Sequence, residues 1–233
     1  MQTTCDPKYI TATFIKELKN RFLCEVEIGG EHVVCYVPSS CHLSNFLKLE
    51  GKKVLLVPTQ TKNTRTQYAL FAVPYKKSYI ILNTSMANRA IENNIHSRRF
   101  SDLGNRKSVI KEHYIEGYKS DLFISDTNTV IEVKSVLSTE NIAQFPTVVS
   151  ERSLMQLNKL KELQRKGYTV KYIIVSLSPY VKKVAISRGS DFYQELIKCL
   201  DNGMTISAFT CRMKNNRISI ERKIPVHMED NYG

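Results

Sequence analysis

The run 171–177, KYIIVSL, constrains the fold of this chain more than any other stretch. It is apolar at nearly every position rather than at alternate ones. Both of its faces must therefore be covered, which suits the centre of a sheet rather than an edge. A helix is predicted just before it, over 148–166, with Leu154, Leu157, Leu160 and Leu163 at helical spacing and Gly167 as a stop signal. Upstream, 85–103 reads as another helix, with Met86, Ala90, Ile91 and Ile95 on one side. Three strand candidates follow at 109–115, 121–124 and 130–136. The polar turn Ser125-Asp126-Thr127-Asn128 folds the last two into an antiparallel hairpin. The order is helix, three strands, helix, buried strand, completed by a helix at 191–200 and strands at 205–211 and 217–222.

The first third has a different pattern. Strands are predicted at 9–18, 22–28, 31–37, 53–57 and 67–73, with Gly29-Gly30 as a two-residue hairpin turn. Leu43, Phe46 and Leu47 fit one helical turn between the third and fourth strands. Five strands with one short helical link suit a small β-barrel of the OB type, a class that often binds oligonucleotides. A barrel that only supports its neighbour fits equally. The predicted division is 1–78 and 79–233.

Of 233 residues, 34 are Lys or Arg and 22 are Asp or Glu, a formal net charge of +12. Residues 1–78 hold 11 basic against 6 acidic residues, and 79–233 hold 23 against 16, so each half is basic. This suits an anionic partner, nucleic acid before an acidic membrane surface. No run of about 20 apolar residues exists to span a bilayer, and no signal peptide is recognisable. The six cysteines are scattered without a CxxC pair, which predicts reduced thiols in a cytoplasmic protein. There is no HxH, no HExxH and no glycine-rich phosphate loop, so zinc hydrolase and nucleotide-cofactor chemistry are not expected.

The chemistry is expected around Glu132. In Ile131-Glu132-Val133-Lys134, residues two apart share a strand face, so Glu132 and Lys134 stand side by side. Asp121 sits on the neighbouring strand of the hairpin, within reach of the same face. Glu112, on the strand before, is either a third carboxylate or a surface acid beside Lys111. Converging carboxylates make a hard-oxygen site for Mg²⁺ or Mn²⁺, and an adjacent lysine can position a water for phosphodiester hydrolysis. Glu-x-Lys also occurs at Glu17/Lys19 and Glu50/Lys52, so context alone separates the third copy.

These pieces, together with RFLCEVEI, ILNTSMANRAIE (81–92), YKSDLFI (118–124), IEVKSVLSTEN (131–141) and FPTVVSER (145–152), resemble the sugar fermentation stimulation protein family. The resemblance runs along essentially the whole chain. It implies a two-domain α+β and α/β protein. Its N-terminal domain would be a five-stranded OB-like barrel. Its C-terminal domain would be PD-(D/E)XK, restriction-endonuclease-like, with a mixed sheet flanked by helices. It also implies binding of DNA or RNA and metal-dependent nuclease activity, with Asp121 and Glu132 as metal ligands, Lys134 as the catalytic lysine and Glu112 supporting the metal. The chain departs from the family pattern at 38–43. It departs again where the family's Glu-Arg-Gly and Lys-His-Leu are Glu151-Arg152-Ser153 and Met155-Gln156-Leu157, which removes positive charge from that helix.

Arg98, Arg99, Arg106, Lys107 and Arg152 are candidate phosphate contacts, or simply a solvated face. Asn83, Thr84, Asn88 and Arg89 either touch phosphates or start the helix, with Thr84 and Ser85 expected as caps. Tyr68, Phe71 and Tyr75 either stack on bases or fill the barrel. The expected activity is Mg²⁺- or Mn²⁺-dependent cleavage of DNA or RNA, without a nucleotide cofactor or membrane. The rival is a non-catalytic DNA-binding regulator of sugar (maltose) metabolism genes, and a third reading is a scaffold for other proteins. Oligomeric state has no signal.

Overall fold

The computed structural model describes residues 9–39, 42–45, 47–59 and 65–229. β1 (Ile10–Glu17), β2 (Leu23–Ile28), β3 (Glu31–Tyr36), β4 (Lys53–Pro58) and β5 (Tyr68–Tyr75) pair in the order β3-β2-β1-β4-β5. A parallel contact of Tyr36 with Ala69 joins β3 to β5 and closes the OB-like barrel. Alternate residues point inward, so Ala12, Phe14, Cys24, Val26, Cys35, Val54, Leu56 and Leu70 form its core. Gly29 and Gly30 take φ of 60° and 90°, which the β2–β3 turn requires and which glycine adopts without a Cβ clash. The helical link is a 3₁₀ turn at Leu43–Asn45, and Phe46 lies outside the described residues. A further strand, β6 (Ser78–Ile81), pairs with β5. Phe71 is buried and Tyr68 and Tyr75 are half-buried.

The rest of the chain runs α1 (Met86–Asn94), β7 (Val109–Lys111), β8 (Tyr114–Ile115), β9 (Tyr118–Lys119), β10 (Leu122–Ile124), β11 (Thr129–Val136), β12 (Ile142–Gln144), α2 (Glu151–Arg165), β13 (Thr169–Ser176), β14 (Lys183–Ser187), α3 (Asp191–Asp201), β15 (Thr205–Lys214), β16 (Arg217–Ile224) and β17 (Val226–Glu229). The main sheet is mixed, in the order β16-β15-β13-β11-β10-β7. The KYIIVSL strand, β13, lies between parallel neighbours β11 and β15. Val170, Tyr172 and Ile174 pack with Leu157, Leu160, Phe192 and Leu196 of α2 and α3. Ile173, Val175 and Leu177 pack on the other side with Ala87 and Ile91 of α1 and with Phe71 and Ile81 from the barrel half. The two halves thus share one apolar core. The Ile81 N–H also donates to the Leu177 carbonyl at 3.0 Å.

Two expectations are corrected. The helix expected over 85–103 ends at Asn94, and a separate 3₁₀ segment spans Arg98–Leu103. Arg106 explains the break: its guanidinium donates to the carbonyls of Ile95 at 2.9 Å and Gly104 at 2.6 Å, doing for the helix end what another turn would have done. The strand expected over 109–115 splits into β7 and β8 at Glu112, whose φ of 48° is left-handed. A parallel sheet, β12-β14-β17, adds to the predicted elements. Among the described residues Cys24, Cys35, Cys199 and Cys211 are free and buried; Cys5 and Cys41 lie outside them. No helix among the described residues is long and apolar enough to cross a membrane.

Candidate active site

Period-two alternation along β11 builds the site. Ile131 and Val133 face α1, while Val130 and Val136 face α2. Glu132 and Lys134 share the α2 side with those two valines, and so they are carried under α2. Glu132 is only 3% exposed. Its Oε1 accepts from Lys134 Nζ at 2.7 Å and from Gln156 Nε2 at 2.6 Å, and its Oε2 accepts from the Tyr118 hydroxyl at 2.5 Å. Gln156 Oε1 in turn accepts from Lys134 Nζ at 2.5 Å, and its Nε2 reaches the Tyr118 oxygen at 3.0 Å. One amide therefore ties the carboxylate, the lysine and the phenol together.

Asp121 stands just before β10, opposite Glu132 in the hairpin register. Its Oδ2 accepts the Val133 N–H at 2.7 Å, and its Oδ1 accepts from Asn88 Nδ2 of α1 at 2.7 Å. Burial pushes the Glu132 carboxyl above the ordinary glutamate range; Lys134 opposes this and the neighbouring Asp121 adds to it. Burial and the Glu132 charge drive the Tyr118 hydroxyl strongly upward, so it remains a donor. Asp121, Glu132 and Lys134 are thus brought together. Asp121 and Glu132 supply carboxylate oxygens, the hard donors that a divalent cation takes.

Glu112 does not join them. Its side chain is 74% exposed and pairs with Lys119 at 2.7 Å, which holds its carboxyl below the usual range. Among the described residues no group of three or more His, Cys, Asp and Glu side chains gathers. Of the basic candidates, Arg89, Arg98, Arg99, Lys107 and Arg152 are exposed, whereas Arg106 is occupied by backbone carbonyls. Of the two expected caps, Ser85 takes the N-cap position of α1 but its hydroxyl bonds to Asn83 rather than to a helix N–H, whereas the Thr84 hydroxyl donates to the Pro38 carbonyl at 3.0 Å. The Glu17 copy of Glu-x-Lys has a different task, accepting the Leu43 and Ser44 N–H groups at 2.7 and 3.0 Å.

Three contributors lie outside the set that sequence reasoning assigns to the site. Gln156 carries a signal: it lies four residues before Leu160 and seven before Leu163, a polar residue in the apolar stripe of α2. Asn88 reads from the sequence only as a possible phosphate contact or helix starter. Tyr118 has no local signal, because the β8–β9 hairpin alone returns it to Glu132.

Comparison with known proteins agrees with this architecture. Residues 18–82 match the family model described as the SfsA N-terminal OB domain, and residues 85–217 match the sugar fermentation stimulation protein RE domain. Sugar fermentation stimulation protein homologs of Pelagibacter ubique and Caldanaerobacter subterraneus subsp. tengcongensis are 25% and 27% identical, each match covering 93% of this chain and 96% of the relative. The solved structure of Pyrococcus furiosus SfsA in complex with Ca²⁺ superposes with a TM-score of 0.81 at 20% identity, over 94% of this chain and 96% of that one. With both of its halves matched in order, the chain belongs to the sugar fermentation stimulation protein family.

Proposed function

We propose that the protein is a divalent-metal-dependent nuclease that hydrolyses phosphodiester bonds of DNA or RNA. The observation that carries this reading is the buried Glu132 carboxylate, set beside Asp121 and bonded to Lys134. Burying a carboxylate next to another one is costly. A protein that only binds DNA through basic surface, such as a regulator of sugar metabolism genes, has no use for that cost. Asp121 and Glu132 are the residues that would hold Mg²⁺ or Mn²⁺. Pyrococcus furiosus SfsA forms a complex with Ca²⁺, a hard, oxygen-seeking ion of the same class. Once bound, the metal supplies a more acidic water and offsets charge growing on the phosphate.

The chain's own residues do the rest. Lys134 has three ammonium hydrogens, and Glu132 Oε1 and Gln156 Oε1 take two. The third is available to orient the attacking water or to hold a phosphate oxygen. Asn88 and the Val133 N–H fix the Asp121 carboxylate from two sides, and Tyr118 fixes Glu132 Oε2. Exposed Arg89, Arg98, Arg99, Lys107 and Arg152 attract the phosphodiester chain.

The test incubates labelled single- and double-stranded DNA and RNA with Mg²⁺, Mn²⁺ or EDTA. Cleavage is expected only with metal, and Asp121→Ala and Lys134→Ala should each lower it by at least about 100-fold while binding persists. Undiminished cleavage by Asp121→Ala would refute the site. Salt-sensitive binding of DNA without cleavage of any substrate would favour the regulator.

A further inference from the structure

The barrel carries an open groove against the start of α1. It has a volume of about 460 Å³ and is walled by Phe22, Tyr36, Ala69, Asn83, Thr84 and Ser85, with no carboxylate among the described residues that line it. That size lies within the range of about 300–1,000 Å³ usual for ligand clefts. Phe22 and Tyr36 are 39% and 41% exposed there. They are neighbours across β2 and β3: Leu23 pairs with Tyr36, and the Val37 N–H donates to the Phe22 carbonyl at 2.8 Å. The Arg21 guanidinium stands over the Phe22 ring, 4.9 Å from its centre.

The opposite wall belongs to α1 and its lead-in. Asn83 Oδ1 accepts both the N–H and the hydroxyl of Ser85, at 3.1 and 2.7 Å, which leaves the Asn83 Nδ2 hydrogens as donors. Ser85 and Asn88 are three residues apart and lie on one helix face. Asn88 is the residue that holds Asp121. Three residues of helix rise about 4.5 Å, less than one turn. A polynucleotide with a phosphate at Asp121 therefore brings a neighbouring nucleotide to the groove.

We infer that the groove is a stacking subsite for one unpaired nucleobase of that polynucleotide, held against Phe22 and Tyr36. The inference rests on the nucleic-acid reading above and sharpens its substrate class to a strand with at least one unpaired base beside the scissile phosphate. Aromatic rings next to a guanidinium, with no acid among the described lining residues and a chain of net charge +12, form a stacking platform for bases. A duplex cannot use it, because its bases already stack on one another.

Binding is measured on the full chain in EDTA by fluorescence anisotropy, so no cleavage is required. The probes are single strands of DNA and of RNA of about 12 nucleotides and a blunt DNA duplex. In the Phe22→Ala/Tyr36→Ala variant, single-strand affinity is expected to fall about 10- to 100-fold, with duplex affinity changed less than about twofold. A 2-aminopurine base in the strand is expected to lose fluorescence on binding the wild type but not this variant. Tyr36→Phe keeps the affinity and Tyr36→Leu loses it, since only the former retains a π-face. Unchanged single-strand affinity, as a protein partner for the groove would give, overturns the subsite. So do equal losses for strand and duplex, or full retention in Tyr36→Leu. A wild type that stacks the base in EDTA yet cleaves nothing with Mg²⁺ keeps the subsite and removes the nuclease.

Discussion

Gln156 is a neutral side chain whose amide contacts Glu132, Lys134 and Tyr118 at once. Gln156→Ala strips an acceptor from Lys134 and a donor from a buried carboxylate. Its kcat for phosphodiester cleavage is expected to fall about 10- to 100-fold with little change in KM, since the ammonium loses its aim rather than its charge. Steady-state kinetics on one labelled oligonucleotide would check this. Glu132 also predicts a pH dependence. Its folded pKa lies above the unfolded value, so between the two the native state holds the extra proton. Its contribution to stability is present on the acid side and is lost as pH rises through the folded value. Urea unfolding in EDTA at about pH 5 and about pH 8 should show the wild type losing stability relative to Glu132→Gln at the higher pH, and Mg²⁺ should restore it.

At the scale of elements, α2 does two jobs. Leu157, Leu160 and Leu163 seat it on the main sheet, and the same stripe, one turn earlier, delivers Gln156. Ser150 and Ser153 begin it with reciprocal side-chain bonds to each other's N–H, at 3.2 and 3.1 Å. Leu160 is fully buried, so Leu160→Ala is expected to cost about 2–5 kcal/mol. Ser150→Ala should cost about 1 kcal/mol. Both are read from denaturant midpoints, and cleavage should be damaged more by the former, because it loosens the helix under Gln156. The helix could be read from its leucines, since 3.6-residue periodicity is written locally. The end of α1 could not: the group that ends it, Arg106, comes eleven residues after Ile95 and acts through space.

At the scale of the whole molecule, the barrel and the C-terminal half are not independent beads. Phe71, Ala72 and Ile81 belong to the same core as Ile173, Val175 and Phe209, and Tyr180 meets Tyr75 edge-on at 5.7 Å between ring centres. Scanning calorimetry is accordingly expected to show one cooperative transition, with calorimetric and van't Hoff enthalpies equal. Two resolved transitions would mean that the shared core adds little.

What the sequence determined alone was whatever is encoded by spacing. The alternation that puts Glu132 beside Lys134, the four-residue turn that sends Asp121 back toward them, the all-apolar run of β13 and the glycine pair in the barrel hairpin are local patterns, and short-range sterics make them legible. Tertiary structure decided what depends on distant partners. The sheet β12-β14-β17 joins Ile142, Lys183 and Val226, three short segments whose parallel pairing no neighbouring residue announces. Glu112 shows the limit most directly. It stands on the expected strand, yet a left-handed backbone there turns it to Lys119 and away from the acids it was expected to join. Tyr118 and Gln156 took its place around Glu132, because a buried charge must be satisfied by whichever donors the packed fold brings within about 3 Å.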